Sequence, residues 1–352
     1  MSASPEPRPG LRDVEAYDSP QIDVPVRLNT NECPYPLPEG FRNDLAEAVR
    51  ALGLNRYPDT DATELRERLA AHTGHVVEGT WAANGSNEVI HQLSMAYGGP
   101  GRKALLFPPT YALHQRIWTL DHGQVVSHVV HAPFVLRDAD VDEAVELNPD
   151  AAFVCSPNNP TGNAHPRERV ERLANETDAL VIVDEAYVEF GGDSAAPLIA
   201  QHPNVVVVRT FSKAFALAGA RVGYCLADPD VVENLRRVRL PYHLSALSQA
   251  AGLSALKHLP EATAILDDIR KQRDRMFERM SAMPGVEPFR SDANFILFET
   301  EKPAAGVWHA LLDRGVLVRD LTRVVPGCLR VSAGTEEETT RFLDALEEVA
   351  QP

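Results

Sequence analysis

Four short runs made almost wholly of apolar residues set the strongest limit on what this chain can fold into. They are KALLF at 103–107, DAAFVC at 150–155, ALVIVDEA at 179–186 and NVVVV at 204–208. None alternates apolar with polar, as a strand with one wet face does. Runs of this kind read as strands buried on both faces of a sheet. Amphipathic stretches such as 165–175 lie between them. Alternating strand and helix implies an α/β architecture, a predominantly parallel sheet with helices on both faces. At 352 residues, 44% of them hydrophobic, the chain is long enough for a large domain and a smaller one.

The rest of the chain is read around that core. Residues 1–12 are rich in Pro and Ser and read as a mobile arm. Two helical patterns occupy 41–73; the second, DATELRERLAAHTG, has Thr60 and Asp61 as cap candidates and Gly74 as its stop. A long helical region over roughly 244–282 leads away from the sheet. Beyond Pro284 and Gly285, NFILFE, a helix near 304–314, GVLVRD, CLRVSAG and a helix near 336–349 suit a small α+β domain. A cleft between two domains favours ligands.

Charge and cysteine content exclude several functions. Fifty acidic against 34 basic side chains give a net charge of −16. Nucleic-acid surfaces need clustered Lys and Arg, so a nucleic-acid partner is not expected. Cys33, Cys155, Cys225 and Cys328 form no CxxC pair, which argues against a zinc site or disulfide scaffold and fits a reducing cytoplasm. The first ten residues hold no apolar core for a signal peptide, and no run of about eighteen apolar residues suggests a membrane span.

The residues that carry chemistry follow the apolar runs. In TFSKAFALAGARVGY (210–224), Lys213 directly follows a strand, where open α/β sheets bind ligands. Thr210, Ser212 and Arg221 around it suit a phosphate. A solvated loop lysine would read the same in isolation. Asp184 and Glu185 end another apolar strand, with Tyr187 three residues beyond Asp184. A carboxylate leaving a buried strand needs a cationic partner, which a pyridinium nitrogen would provide; a metal or a capping role is the alternative. In CSPNNPTGN (155–163), Asn159 before Pro160 could donate to a phenolate oxygen, or the segment is simply a connecting loop. Gly85, Ser86 and Asn87 open a helix whose free N–H groups could cradle a phosphate, though an ordinary cap looks alike. Tyr111 follows a further strand and could stack on a planar cofactor or pack in the core. These elements come in order, each at the carboxyl end of an expected strand or the helix after it, and that ordering is more telling than any one of them.

With those residues in view, the chain resembles the fold-type I pyridoxal-phosphate aminotransferases, and among them the histidinol-phosphate aminotransferase family. The resemblance runs from about residue 17 to the C-terminus. It is carried by LNTNE (28–32), RYPD (56–59), SPNNPTG (156–162), VDEAYVEF (183–190), RTFSKAFALAGARVGY (209–224), PYHLS (241–245), SDANFILF (291–298), GVLVRD (315–320) and LRVSAGT (329–335). It implies a large domain with a mostly parallel, seven-stranded-type sheet, spanning 41–245, and a small α+β domain over 283–352. A connecting helical region over 246–282 and an N-terminal segment over 13–40, packed on the small domain and on a dimer partner, complete the expectation.

The same resemblance implies pyridoxal 5′-phosphate as cofactor, linked through Lys213. Asp184 would pair with the pyridine nitrogen, Tyr187 and Asn159 would meet the ring oxygen, and Tyr111 would stack on the ring. Gly85, Ser86, Asn87, Thr210, Ser212 and Arg221 would hold the phosphate, with Tyr57 supplied by the partner subunit of a homodimer. Arg330 would receive the substrate's anionic group, with Tyr17, Asn31 and Arg319 as further contacts and Tyr242 near the imidazole. The implied reaction is exchange between L-histidinol phosphate and 2-oxoglutarate. Alternatives on the same scaffold are an aromatic amino-acid aminotransferase, favoured less by Tyr17, Tyr242, His243 and Arg319, and a phospho-amino-acid decarboxylase. A non-enzymatic regulator would need an added DNA-binding module. One departure is NECP where relatives commonly carry NENP, so Cys33 replaces an amide beside the substrate entrance.

Overall fold

The computed structural model describes residues 5, 6, 8, 11 and 20–350, so Tyr17 and most of the N-terminal arm lie outside the described residues. The strands in chain order are β1 Val26–Arg27, β2 Thr80–Ala83, β3 Lys103–Leu106, β4 Gln124–Ser127, β5 Ala151–Cys155, β6 Leu180–Asp184 and β7 Val205–Thr210. They continue with β8 Gly223–Leu226, β9 Val286–Pro288, β10 Phe295–Thr300, β11 Val316–Leu317, β12 Arg319–Asp320 and β13 Cys328–Ser332.

Seven of them form one sheet in the order β2-β8-β7-β6-β5-β3-β4. Neighbours pair in parallel except where β8 runs against both β2 and β7. The unalternated apolar runs are explained by where their side chains go. Val181, Val183, Val205 and Val207 join one hydrophobic cluster, while Leu180, Ile182, Val206 and Val208 join another. Successive side chains of a strand point to opposite faces, and here both faces are covered, so every position must be apolar.

A four-stranded antiparallel sheet, β12-β13-β10-β9, forms the second layer system, with the helices Ala304–Asp313 and Glu336–Ala350 beside it. The N-terminal segment is tied to it, because β1 pairs in parallel with β11 and Leu28 N donates to Leu317 O at 2.8 Å.

Two local expectations need correction. The helical region over 244–282 is two helices, Ala246–Lys257 and Leu259–Ser281, separated at His258. Pro260 lacks an N–H and so cannot continue the first helix, but it is tolerated in the first turn of the second. The helix Thr63–Thr73 is capped by neither Thr60 nor Asp61. Asp59 reaches forward, accepting from Thr63 N at 2.6 Å and Asp61 N at 3.0 Å. Gly74 does end that helix, in the left-handed conformation at φ 69°.

Candidate functional site

Because the parallel strands share a direction, their carboxyl ends open on one edge of the sheet. A cavity of about 490 Å³ lies there. Ser86 and Asn87 follow β2, Tyr111 follows β3, and Asn159 follows β5. Asp184 ends β6 with Tyr187 just beyond, and Thr210, Ser212, Lys213 and Arg221 follow from the end of β7. Asn31, Arg319 and Arg330 close the cavity from the N-terminal segment and the small sheet.

One end of the cavity is built for an anion. The helix Ser86–Tyr97 begins after Gly85, which has no side chain to cap it, so its first N–H groups are left for another acceptor. Gly85 sits at φ +83°, and a Cβ there would fall 2.5 Å from Arg221 Nη2. The guanidinium therefore passes directly over that glycine. Arg221 Nη1 donates to Ser212 Oγ at 3.2 Å, and Thr210 Oγ1 donates to the same oxygen at 3.0 Å. Hydroxyls, a fixed cation and a helix start converge as a phosphate monoester requires.

Lys213 stands between that end and the arginines. Its Nζ donates to Thr30 O at 3.0 Å and lies 6.0 Å from the Tyr187 ring centre. Burial, then the nearby Arg330 and Arg221 charges, bring its amine down to about 8, with Glu32 opposing. A lysine so placed is partly neutral near physiological pH, and thus a nucleophile and a base.

Asp184 is buried beneath the cavity. Its Oδ2 is 2.9 Å from His114 Nε2, which puts the imidazole proton on Nε2, and its Oδ1 accepts from Ala186 N at 3.1 Å. His114 has no exposed surface, stacks on Phe153 at 4.9 Å, and receives Tyr111 edge-on at 5.3 Å. The pair thus fixes both a carboxylate and an aromatic wall. His114 belongs to none of the motifs singled out in the sequence. Its spacing was the available signal, since three residues from Tyr111 at a helix start place both on one face.

Two further linkages tie the N-terminal segment and the small sheet to the main sheet. Asn31, in the left-handed region at φ 55°, donates from Nδ2 to Tyr187 Oη at 3.0 Å. Ser332 Oγ donates to Asn31 Oδ1 at 3.1 Å, and Asn294 Nδ2 donates to Asn31 O at 3.2 Å. Burial pushes the Tyr187 phenol up to about 12, so it stays a neutral donor. Arg330 is buried, lies 5.0 Å over the Phe295 ring, and donates to Asn29 O at 3.0 Å and to Asn159 Oδ1. With its oxygen held by a cation, the Asn159 amide keeps its nitrogen as the donor end.

Not every residue singled out in the sequence reaches this cavity within one protomer. Tyr57 is 78% exposed and stacks on Tyr242 at 4.2 Å, and neither lines the cavity. His243 packs edge-on against Trp81 instead. Thr30, Glu32 and Cys155 line the cavity without having been anticipated.

The family model for aminotransferase class I and II matches residues 23–346. The chain belongs to that family. Among curated relatives, this aminotransferase is 48% identical to the histidinol-phosphate aminotransferase of Streptomyces avermitilis, over 97% of its own length and 96% of the relative's. It is 46% identical to the histidinol-phosphate aminotransferase of Paenarthrobacter aurescens, over 97% and 94%. In fold it is similar to the crystal structure of histidinol-phosphate aminotransferase from Sinorhizobium meliloti in complex with pyridoxal 5′-phosphate. The TM-score is 0.89, at 23% identity, over 99% of this chain and 98% of that one. Pyridoxal phosphate is the aminotransferase's cofactor, and the donor set fits it: an anion cradle at one end, an amine in the middle, and a buried carboxylate below.

Proposed function

We propose that this aminotransferase transfers the amino group of L-histidinol phosphate to 2-oxoglutarate, giving imidazole-acetol phosphate and L-glutamate in L-histidine biosynthesis. The observation that carries the substrate reading is the pairing of two arginines on the small sheet. Arg319 and Arg330 are directly opposed across β12 and β13, and both face the cavity. A guanidinium fork suits a phosphate monoester and a carboxylate alike, so one site can take both partners of the exchange. The identities to histidinol-phosphate aminotransferases over nearly the whole chain support the same reading.

Bound pyridoxal phosphate supplies a protonated ring that accepts the electron pair left when the substrate carbon loses its proton. The chain's own groups do the rest. Ser86, Asn87, Thr210, Ser212 and Arg221 hold the phosphate. Asp184, fixed by His114, keeps the pyridine nitrogen protonated. Tyr187 and Asn159 present donors to the ring oxygen, and Tyr111 covers the ring. Lys213 would hold the cofactor through Nζ, and that same amine, partly neutral near physiological pH, would serve as the base and acid that moves the substrate proton.

The site is completed by a second copy. Tyr57 and Tyr242 stack on each other at the surface, and Leu54 and Leu240, near them in sequence, are also exposed, which suits cover by a second copy. In a homodimer Tyr57 would reach the partner's cofactor phosphate and Tyr242 the substrate imidazole, with Tyr17 and Asn31 as further contacts. The four unpaired cysteines suit a reducing cytoplasm.

The deciding measurement compares kcat/KM for L-histidinol phosphate and L-phenylalanine, each with 2-oxoglutarate and added cofactor. A strong preference for the phosphate ester supports the proposal. Comparable or reversed values move the reading to an aromatic aminotransferase with the same cofactor chemistry. Arg330→Ala should impair both half-reactions, and Lys213→Ala should abolish turnover; unchanged rates in either would refute that residue's role.

A further inference from the structure

Apart from the two large clusters, one of which runs on from the main sheet into the small one, stands a small third: Leu297, Leu321, Val325 and Cys328, with Phe134 and Phe289 packed against it. Five of these six side chains belong to the small sheet and its hairpins. Phe134 alone comes from the large domain, from the connection between β4 and the helix Asp138–Glu146. Its ring meets Phe289 at 5.4 Å with an interplanar angle of 60°.

The backbone is bent to place it there. Phe134 has φ 64°, a left-handed conformation that bulky residues rarely adopt and that must be held by its surroundings. Phe134 N donates to His131 O at 2.8 Å, and Phe134 O accepts from Asn163 Nδ2 at 2.8 Å. Asn163 in turn belongs to the Asn158–Asn163 loop, whose Asn159 receives Arg330.

The cluster that Phe134 packs against matters for the site. Leu321 and Val325 sit on the hairpin that joins β12 to β13, the strands bearing Arg319 and Arg330. Leu321 also lines the cavity with both arginines. β12 is an edge strand of two residues, so few ladder bonds fix its position. We infer that Phe134 is a positioning residue for substrate binding: it seats the β12–β13 hairpin against the large domain and so sets where Arg319 stands. This rests on the proposed role of Arg319 as a reader of the substrate anion.

Holoenzyme variants test it. Phe134→Ala should raise KM for both L-histidinol phosphate and 2-oxoglutarate about tenfold, the scale of losing one well-packed aromatic contact, with kcat within about twofold. Cofactor absorbance and the Kd for pyridoxal phosphate should stay at wild-type values, and Phe134→Leu should recover most of the loss. Phe289→Ala should act through the same contact, so the double variant should be no worse than the worse single one. An unchanged KM, an equal loss of cofactor binding, or additive effects of the two alanines would each overturn the inference. Arg319→Ala separates the two levels. If it raises KM while Phe134→Ala does not, the inference fails and the reading of Arg319 stands; if Arg319→Ala leaves KM unchanged, that reading fails and the inference falls with it.

Discussion

Lys213 shows how few groups are needed to retune one amine. Its ordinary pKa is about 10.4, and burial beside Arg330 and Arg221 brings it to about 8. In the cofactor-free enzyme, the pH dependence of Lys213 carbamylation by cyanate should therefore have a midpoint near 8. The Arg330→Ala variant should move that midpoint upward, because a like charge has been removed. A wild-type midpoint at the ordinary lysine value would contradict the electrostatics described for the site. The same residue marks a boundary of sequence reading. The Lys213 position was legible from its motif, but its Thr30 partner was not, since 183 residues separate them. His114 was hidden for a simpler reason: a lone histidine in a helix has many ordinary explanations.

At the scale of elements, the anion cradle depends on a glycine at a helix start. Gly85→Ala would add a Cβ 2.5 Å from Arg221 Nη2 at a φ of +83°. Both the clash and the backbone strain fall on the phosphate end, so affinity for pyridoxal phosphate should drop on the order of tenfold or more. Fluorescence titration of the cofactor-free protein measures this, and unaltered affinity would remove Gly85 from the cradle. The strands themselves were the most legible elements, because burial on both faces leaves no polar residues to confuse the pattern. Element ends were less so. Asp59 caps across a turn that no local rule favours over Thr60 or Asp61, and the break at His258 depends on Pro260 sitting just inside a new helix rather than ending an old one. β9 escaped notice because three residues carry no periodicity. What chemistry gathers at the cavity was visible as an ordered series of motifs; the proposed contact of Tyr57 and Tyr242 with a partner copy would not be, since no single chain would contain it.

At the scale of the whole molecule, one buried charge cluster links stability to pH. Arg209 lies 2.9 Å from Glu185 Oε2 and donates to Ser194 Oγ at 2.7 Å, while Ala195 N donates to Glu185. Glu189 stands nearby with an enclosed Oε2 that has no hydrogen-bond partner among the described residues. Burial pushes its carboxyl up to about 7, against the pull of Arg209. Because the folded value exceeds the unfolded one, the native state holds a proton that the unfolded chain has already lost. Glu189 therefore costs nothing below about pH 4.3, an increasing amount as pH rises towards 7, and a constant amount above, on the order of 4 kcal/mol. Urea unfolding of Glu189→Gln and wild type at pH 5 and pH 8 should show the variant gaining relative stability at the higher pH; a constant difference would exclude Glu189 as the titrating group. Assembly is testable at the same scale. If Tyr57 serves the partner's site, inactive Lys213→Ala and weakened Tyr57→Ala chains, unfolded and refolded together in equal amounts, should regain about a quarter of wild-type activity, because half the dimers are mixed and each mixed dimer has one intact site. No gain would argue that each site is built from one chain.

The N-terminal strap has a consequence in time. Asn29 and Asn31 are synthesised well before some of their partners: Asn31 waits for Asn294 and Ser332, and Asn29 for Arg330. β1 likewise has no strand to join until β11 is made. The central sheet can form while synthesis continues, since domains fold as units when they emerge. The active site cannot, because Asn294, Arg330 and Ser332, which complete the fastening begun by Tyr187 and Lys213, are made later. A nascent chain stalled before residue 290 should thus hold a folded sheet and no complete site, because the strands that bear Arg319 and Arg330 have not been made.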